Sequence, residues 1–186
     1  MATTITVELS KKSLDEAKKI LREFQKRYKE GANNSIRVAT EELYNKVIEK
    51  CHEAGIEHHT DAIHWEYDES TNAGRVWVDG NDDRGKVIIF NEIGTGVRGS
   101  NNPHPAFSWE YDVNHHGEQG WWYPTDENDP NPIKRVDRNG QLRGWTKGLP
   151  SRRMFFDAFV EIVYALQDYV DIEMRKALGD LYERRK

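Results

Sequence analysis

The stretch KVIIFNEIGTGVRGSNNPHP, residues 86–105, decides how the chain is read. An apolar run, Val87-Ile88-Ile89-Phe90, stops before a lone carboxylate, Glu92. Three glycines, two prolines and a histidine follow. A short β-branched apolar run between turn residues reads as a strand buried on both faces. The segments before it point the same way. Ile63, Trp65 and Tyr67 alternate with His64, Glu66 and Asp68, and a turn at Ser70 to Gly74 leads to Arg75-Val76-Trp77-Val78-Asp79. A second turn, GNDDRG, leads into the run at 86–90, so the expectation is a three-stranded antiparallel meander.

Further upstream, residues 4–9 (TITVEL) alternate as a short strand. Ser13 and Glu16 have capping-box spacing, and Leu14, Ala17, Ile20, Leu21, Phe24 and Tyr28 share one helix face. Gly31 is placed to end that helix, and Asn34 or Ser35 to cap another. The second carries Ile36, Ala39, Leu43, Val47, Cys51 and Ala54, with Gly55 as its stop. A helical hairpin and one kinked rod both fit.

Downstream, residues 91–151 hold every proline and four of the six tryptophans, too long a span for a structureless connection. Gly120-Trp121-Trp122-Tyr123 reads as a strand. Asn139-Gly140 is a type I′ signal between Arg135-Val136-Asp137 and Leu142-Arg143-Gly144-Trp145. The span reads as an extended arm of loops and short strands. A closing helix runs from about Arg152 to Leu178, with Pro150 and Ser151 as start residues. The expected fold is therefore α+β, one domain over 1–186: an N-terminal strand, two helices, a small antiparallel sheet, the 91–151 arm and a long C-terminal helix.

Composition narrows the function. Twenty aromatic side chains argue against disorder and call for cover from the core or from partners. A net charge of −5 is unlike the basic face of a sequence-reading DNA protein, although the tail Arg184-Arg185-Lys186 is basic. No apolar segment is long enough to span a membrane, and MATTITVELSKKS lacks the apolar core of a signal peptide. The lone Cys51 forms no internal disulfide, lies on a helix stripe as a packing residue, and suits a reducing cytosol.

The chemical readings of residues 91–105 can be weighed in turn. Gly94-Thr95-Gly96 with Gly99 looks like a phosphate loop, but that needs a helix N-terminus and a Lys-Ser/Thr pair. Pro103 and Pro105 argue against a helix there. Glu92, His104, His115 and His116, with His58 and His59, are metal-ligand types without zinc spacing. The acidic run at Asp126 to Asp129 lacks the alternate-ligand spacing of a calcium loop, and no Gly-x-Ser-x-Gly elbow occurs. No cofactor is implied. What is left is a backbone device: Gly94 and Gly96 allow positive φ or close approach, while Pro103 and Pro105 hold Asn102 and His104 extended.

In order, Glu92-Ile93-Gly94-Thr95-Gly96, His104-Pro105, Gly120-Trp121-Trp122-Tyr123 and Thr146-Lys147-Gly148-Leu149-Pro150-Ser151-Arg152-Arg153-Met154-Phe155 form a set. That set resembles the tail-completion and head–tail joining proteins of lambda-like tailed phages and prophages. In them an E-x-G-T-G signature is followed by His-Pro, Gly-Trp and a run like T-K-G-x-P-A-R-P-F. Here Ser151 stands for the usual Ala, Arg153 for a second Pro, and the insert around 124–145 is long. The resemblance implies a structural, non-enzymatic subunit of the virion neck or tail, made in the host cytoplasm. It would form a ring, of hexameric type in related folds, with copies of itself and adjacent tail-tube, terminator or connector proteins. DNA would pass through without sequence-specific binding. The turn and arm residues would be Glu92, Gly94, Thr95, Gly96, Pro103, His104, Pro105, Gly120, Trp121, Trp122, Gly148, Pro150, Arg152 and Phe155. Two other readings are a phage-encoded cytosolic partner-binding module and a small metal-dependent hydrolase using Glu92, His104 and His115 or His116.

Overall fold

The computed structural model describes residues 11–106, 108–129 and 131–179. The strand expected at 4–9 and the basic tail lie outside them. The fold is α+β. A helix α1 (Lys11–Glu53) precedes strands β1 (Ile63–Asp68) and β2 (Ala73–Val78), then helices α2 (Asp83–Ile93) and α3 (Gly96–Asn101). Strands β3 (Trp121–Pro124), β4 (Lys134–Val136) and β5 (Leu142–Thr146) lead to α4 (Met154–Leu178). β1 and β2 form one sheet; the other has the order β3-β5-β4 with both pairings antiparallel.

The chain divides into two compact units. One comprises the described residues to Lys46, His64–Trp77, and the described residues from Phe159 on. In it α1 and α4 lie antiparallel: Lys46 Nζ is 3.9 Å from Glu161 Oε2, and a Cβ on Gly31 would stand 2.8 Å from Met174 Sδ. That close approach explains why Gly31 does not break the helix. Absence of a side chain lets two helices meet, and α1 runs unbroken for 43 residues, a single rod and not a hairpin. Ser35 is not a cap either; its buried hydroxyl donates to the Gly31 carbonyl at 2.7 Å. The helix already includes Lys11, so Ser13 and Glu16 sit inside it and do not start it. Gly74 of the hairpin packs on α1, where a Cβ would collide with the Thr40 hydroxyl.

The other unit comprises Val47–Ile63 and Val78–Ala158. Val47, Cys51, Ile88 and Met154 are fully buried there. α1 ends in a Schellman motif: Gly55, at φ +70°, donates to His52 O, and Ile56 donates to Cys51 O.

The run at 86–90 is helix, not the third strand of a meander. Asp82 caps it, its carboxylate accepting the Arg84 N–H at 2.8 Å. The buried positions Gly85, Ile88, Asn91 and Glu92 fall at helical spacing. A Cβ at Gly85 would stand 1.8 Å from the Asp79 carbonyl, so the glycine in GNDDRG seats the first helical turn on the preceding backbone. An apolar run this short cannot be assigned to strand or helix by periodicity alone.

The Gly-Trp segment leads into strand β3, which pairs with β5: Trp122 faces Trp145 and Tyr123 faces Gly144. The β4–β5 turn is not type I′. Only Gly140 has positive φ, +78°, and its N–H donates to Asp137 O, as in a three-residue loop closed by a glycine bulge. The Asp137 carboxylate holds this turn by accepting the N–H groups of Asn139 and Gln141.

Candidate functional site

α2 ends where α4 begins, and each helix end closes the other. A helix leaves its last carbonyls and first N–H groups without partners. At the end of α2, Phe90 O accepts from Gly94 N, Asn91 O from Arg152 N at 2.8 Å, and Glu92 O from Ser151 Oγ at 2.7 Å. At the start of α4, Glu92 Oε2 accepts from Phe155 N at 2.8 Å and Glu92 Oε1 from Phe156 N at 3.1 Å. The carboxylate thus leaves the negative end of its own helix and serves the positive end of another. Arg153, just before α4, has φ +52°, and its N–H donates to Glu92 O. Pro150 and Ser151 do not cap α4. Its cap comes from a side chain about sixty residues upstream, out of reach of any local sequence pattern.

His104 completes the clasp. Its Nδ1 accepts the Ala106 N–H at 3.1 Å, so the proton sits on Nε2, which donates to Glu92 Oε1 at 3.0 Å. The imidazole is almost wholly buried, and the Phe156 ring meets it edge-on at 5.5 Å between centroids. The His104 N–H donates to Tyr111 Oη at 2.7 Å. Pro103 and Pro105 flank His104 on the exposed surface.

The glycines let backbone meet backbone. Thr95 and Leu149 exchange two hydrogen bonds, Thr95 N to Leu149 O at 2.8 Å and Leu149 N to Thr95 O at 3.1 Å. Gly148, at φ +102°, lies where a Cβ would be 1.9 Å from Thr95 O. Gly94, at φ +89°, would put a Cβ 2.7 Å from Ser151 N. Gly96 packs under the Trp121 indole and against Lys147 O, and Gly120 backs onto Thr146 O. Trp122 carries the Arg135 guanidinium 3.9 Å from its ring centroid. The Arg152 side chain donates to the Ala54 carbonyl just past α1.

A helix does follow the glycines, contrary to the expectation drawn from Pro103 and Pro105. α3 ends at Asn101, just before those prolines, and has six residues. Two of its first three N–H groups are engaged: Gly96 N donates to Tyr111 O and Arg98 N to Lys147 O at 3.4 Å. The missing Lys-Ser/Thr pair and these occupied donors, not a missing helix, therefore stand against the phosphate reading.

Of the four residues of the hydrolase reading, Glu92, His104, His115 and His116, the structure brings Glu92 and His104 together. His116 stacks near Trp121, and its N–H donates to the Asp112 carboxylate. Among the described residues, no group of three or more His, Cys, Asp or Glu is placed to hold a metal ion. At the acidic run, Asp129 Oδ2 accepts from Tyr123 Oη and Thr125 Oγ1. Burial works against its charge, but those donors prevail and hold the Asp129 carboxyl below its ordinary range. Burial pushes the Cys51 thiol up to about 12, with the Glu92 charge adding to it.

Sequence reasoning missed Tyr111, Ser151, Leu149 and Phe156 as members of this cluster. Tyr111 anchors it three ways, through its hydroxyl, its carbonyl and its ring against Gly99. No local spacing marks it. Compared with protein-family models, curated proteins and solved structures, the chain matches none.

Proposed function

We propose that the protein is a structural subunit of a tailed-phage virion, a tail-completion or head–tail joining component that assembles as a ring around the DNA channel. One observation carries the reading. The motifs that make up the resemblance are separated by up to fifty residues, yet they converge on one clasp. Glu92-x-Gly94-Thr95-Gly96 pairs with Gly148-Leu149, caps α4 at Phe155 and Phe156, and is buttressed by His104 and Trp121. A motif set kept for catalysis needs a free nucleophile or base. Here both oxygens of Glu92 hold backbone N–H groups, and His104 is engaged at both nitrogens, Nδ1 with the Ala106 N–H and Nε2 with the Glu92 carboxylate. The clasp is a scaffold from which the β3-β5-β4 sheet, with its half-buried tryptophans and exposed Arg135 and Val136, can meet neighbouring subunits.

The direct test is genetic. Disrupting the gene in the phage or prophage that encodes it should yield filled heads and separate tails by electron microscopy, with joining restored by complementation. Normal infectious particles from the disrupted strain would refute the reading. Gly94→Val and Gly96→Val should block joining in the same assay while circular dichroism shows the helices retained.

A further inference from the structure

The apolar stripe of α1 runs on past its cover. Gly31 and Ser35 are buried on that face, with Gly31 against Met174 and Ala177 near the end of α4. Toward the N-terminus the same face continues as Leu14, Ala17, Leu21, Phe24 and Tyr28, the last two rings stacked 6.1 Å apart. None of residues 11–30 is buried; Leu21 and Tyr28 are 51% and 52% exposed. At 1.5 Å per residue, the twenty residues 11–30 make an arm of about 30 Å. An exposed helix that keeps an amphipathic face marks a surface awaiting a partner.

Charge says which partner. Residues 11–30 hold eight Lys or Arg against four Asp or Glu, a net of +4 in a chain of net −5. By helical geometry Lys11, Lys18, Arg22 and Lys29 line one edge of the apolar stripe with no carboxylate among them. The opposite pattern lies on α4. From Phe159 to Glu173 there are four carboxylates and no Lys or Arg. On its outward face Tyr164, 85% exposed, and Val163, 49% exposed, stand with Asp168 and Asp171, while Glu161 pairs with Lys46 of the same chain. Two arms would present like charges to each other.

We infer that the α1 arm of one copy lies along the outer face of α4 of a second copy, its apolar stripe on Val163 and Tyr164 and its basic edge against Asp168 and Asp171. Such a contact joins two different patches of the same chain. It is therefore head-to-tail, and it closes as a ring if the rotation permits. The inference rests on the ring reading above and names the surfaces that would form it.

The test uses the full chain and sedimentation velocity. Wild type should associate beyond monomer at high protein concentration. An arm variant, Leu21→Asp with Phe24→Asp, and a face variant, Tyr164→Lys with Asp168→Lys, should each be monomeric, with association weakened at least tenfold. Mixed one to one, they should give a heterodimer that grows no further, because each supplies the patch the other lacks. A monomeric wild type, a mixture that stays monomeric, or variants that associate like wild type would overturn the inference. If the arm variant loses helicity, the charge pair decides: Lys18→Glu with Arg22→Glu should be rescued by mixing with Asp168→Lys plus Asp171→Lys, and no rescue counts against the contact. A monomer that instead floats with anionic phosphatidylserine vesicles would also overturn it. Failure here with the protein still counted in particles leaves the virion reading standing. A working heterodimer with the protein absent from particles removes the virion reading alone.

Discussion

Replacing Glu92 by Ala would open the clasp at its centre. The change leaves three donors without an acceptor: the N–H groups of Phe155 and Phe156 and Nε2–H of His104. The two backbone donors lie at a helix start, so their loss resembles removal of an N-cap, about 0.5–2 kcal/mol. The imidazole donor is buried, and an unsatisfied buried donor costs about 1–3 kcal/mol. Together they predict a loss of about 3 kcal/mol, which in a chain of this size is about 10 °C in Tm. Glu92→Gln keeps one acceptor oxygen but loses the charge, and should cost roughly half as much. Urea unfolding at neutral pH gives the stability change, and amide exchange locates it. Phe155 and Phe156 should lose protection before the middle of α4 does. A Glu92→Ala protein within about 0.5 kcal/mol of wild type, with unchanged exchange at those amides, would refute the reciprocal cap.

Other consequences follow from the same geometry. Gly148→Ala should destabilise by more than about 2 kcal/mol, since it adds both a clash with Thr95 O and strain at φ +102°; Gly117→Ala, with open space and φ +52°, should cost only about 1 kcal/mol by urea unfolding. Cys51 should stay unreactive toward Ellman's reagent at pH 8 in the native protein and react at once in guanidinium, because burial holds its thiol near 12; rapid native labelling would contradict its placement. The carboxyls of Asp129 and Asp137 lie below their ordinary value of 3.8. A depressed folded value means their stabilisation is fully present above that value and is lost as pH falls through the folded one. Asp129→Asn and Asp137→Asn should therefore lower Tm at pH 7 by more than at pH 2, and equal losses at both would argue against it.

Much of this could be read from residues, and the failures have a common cause. The Gly55 stop, the Gly-Trp strand, the 134–146 hairpin and the C-terminal helix follow from local pattern, because turn chemistry and periodicity act over a few positions. Residues 86–90 misled because Val, Ile and Phe in a run of four suit a strand and a short buried helix alike. The deciding residue was Asp82, a cap hidden inside an apparent turn. Gly31 misled because its missing side chain serves a packing contact with Met174, not a stop. In the clasp, Glu92, Gly94, Gly96, His104 and Gly148 stood out as unusual residue types. Their partners Tyr111, Ser151 and Phe156 did not, since they act through hydroxyl and backbone groups that many residues offer.

Counting copies in purified particles tests the central claim most directly. Mass spectrometry of virions, scaled to a known structural protein, should find this chain at a small multiple set by ring symmetry, about six if the ring is hexameric. Absence from particles, with the protein abundant in the infected cell, would contradict the account.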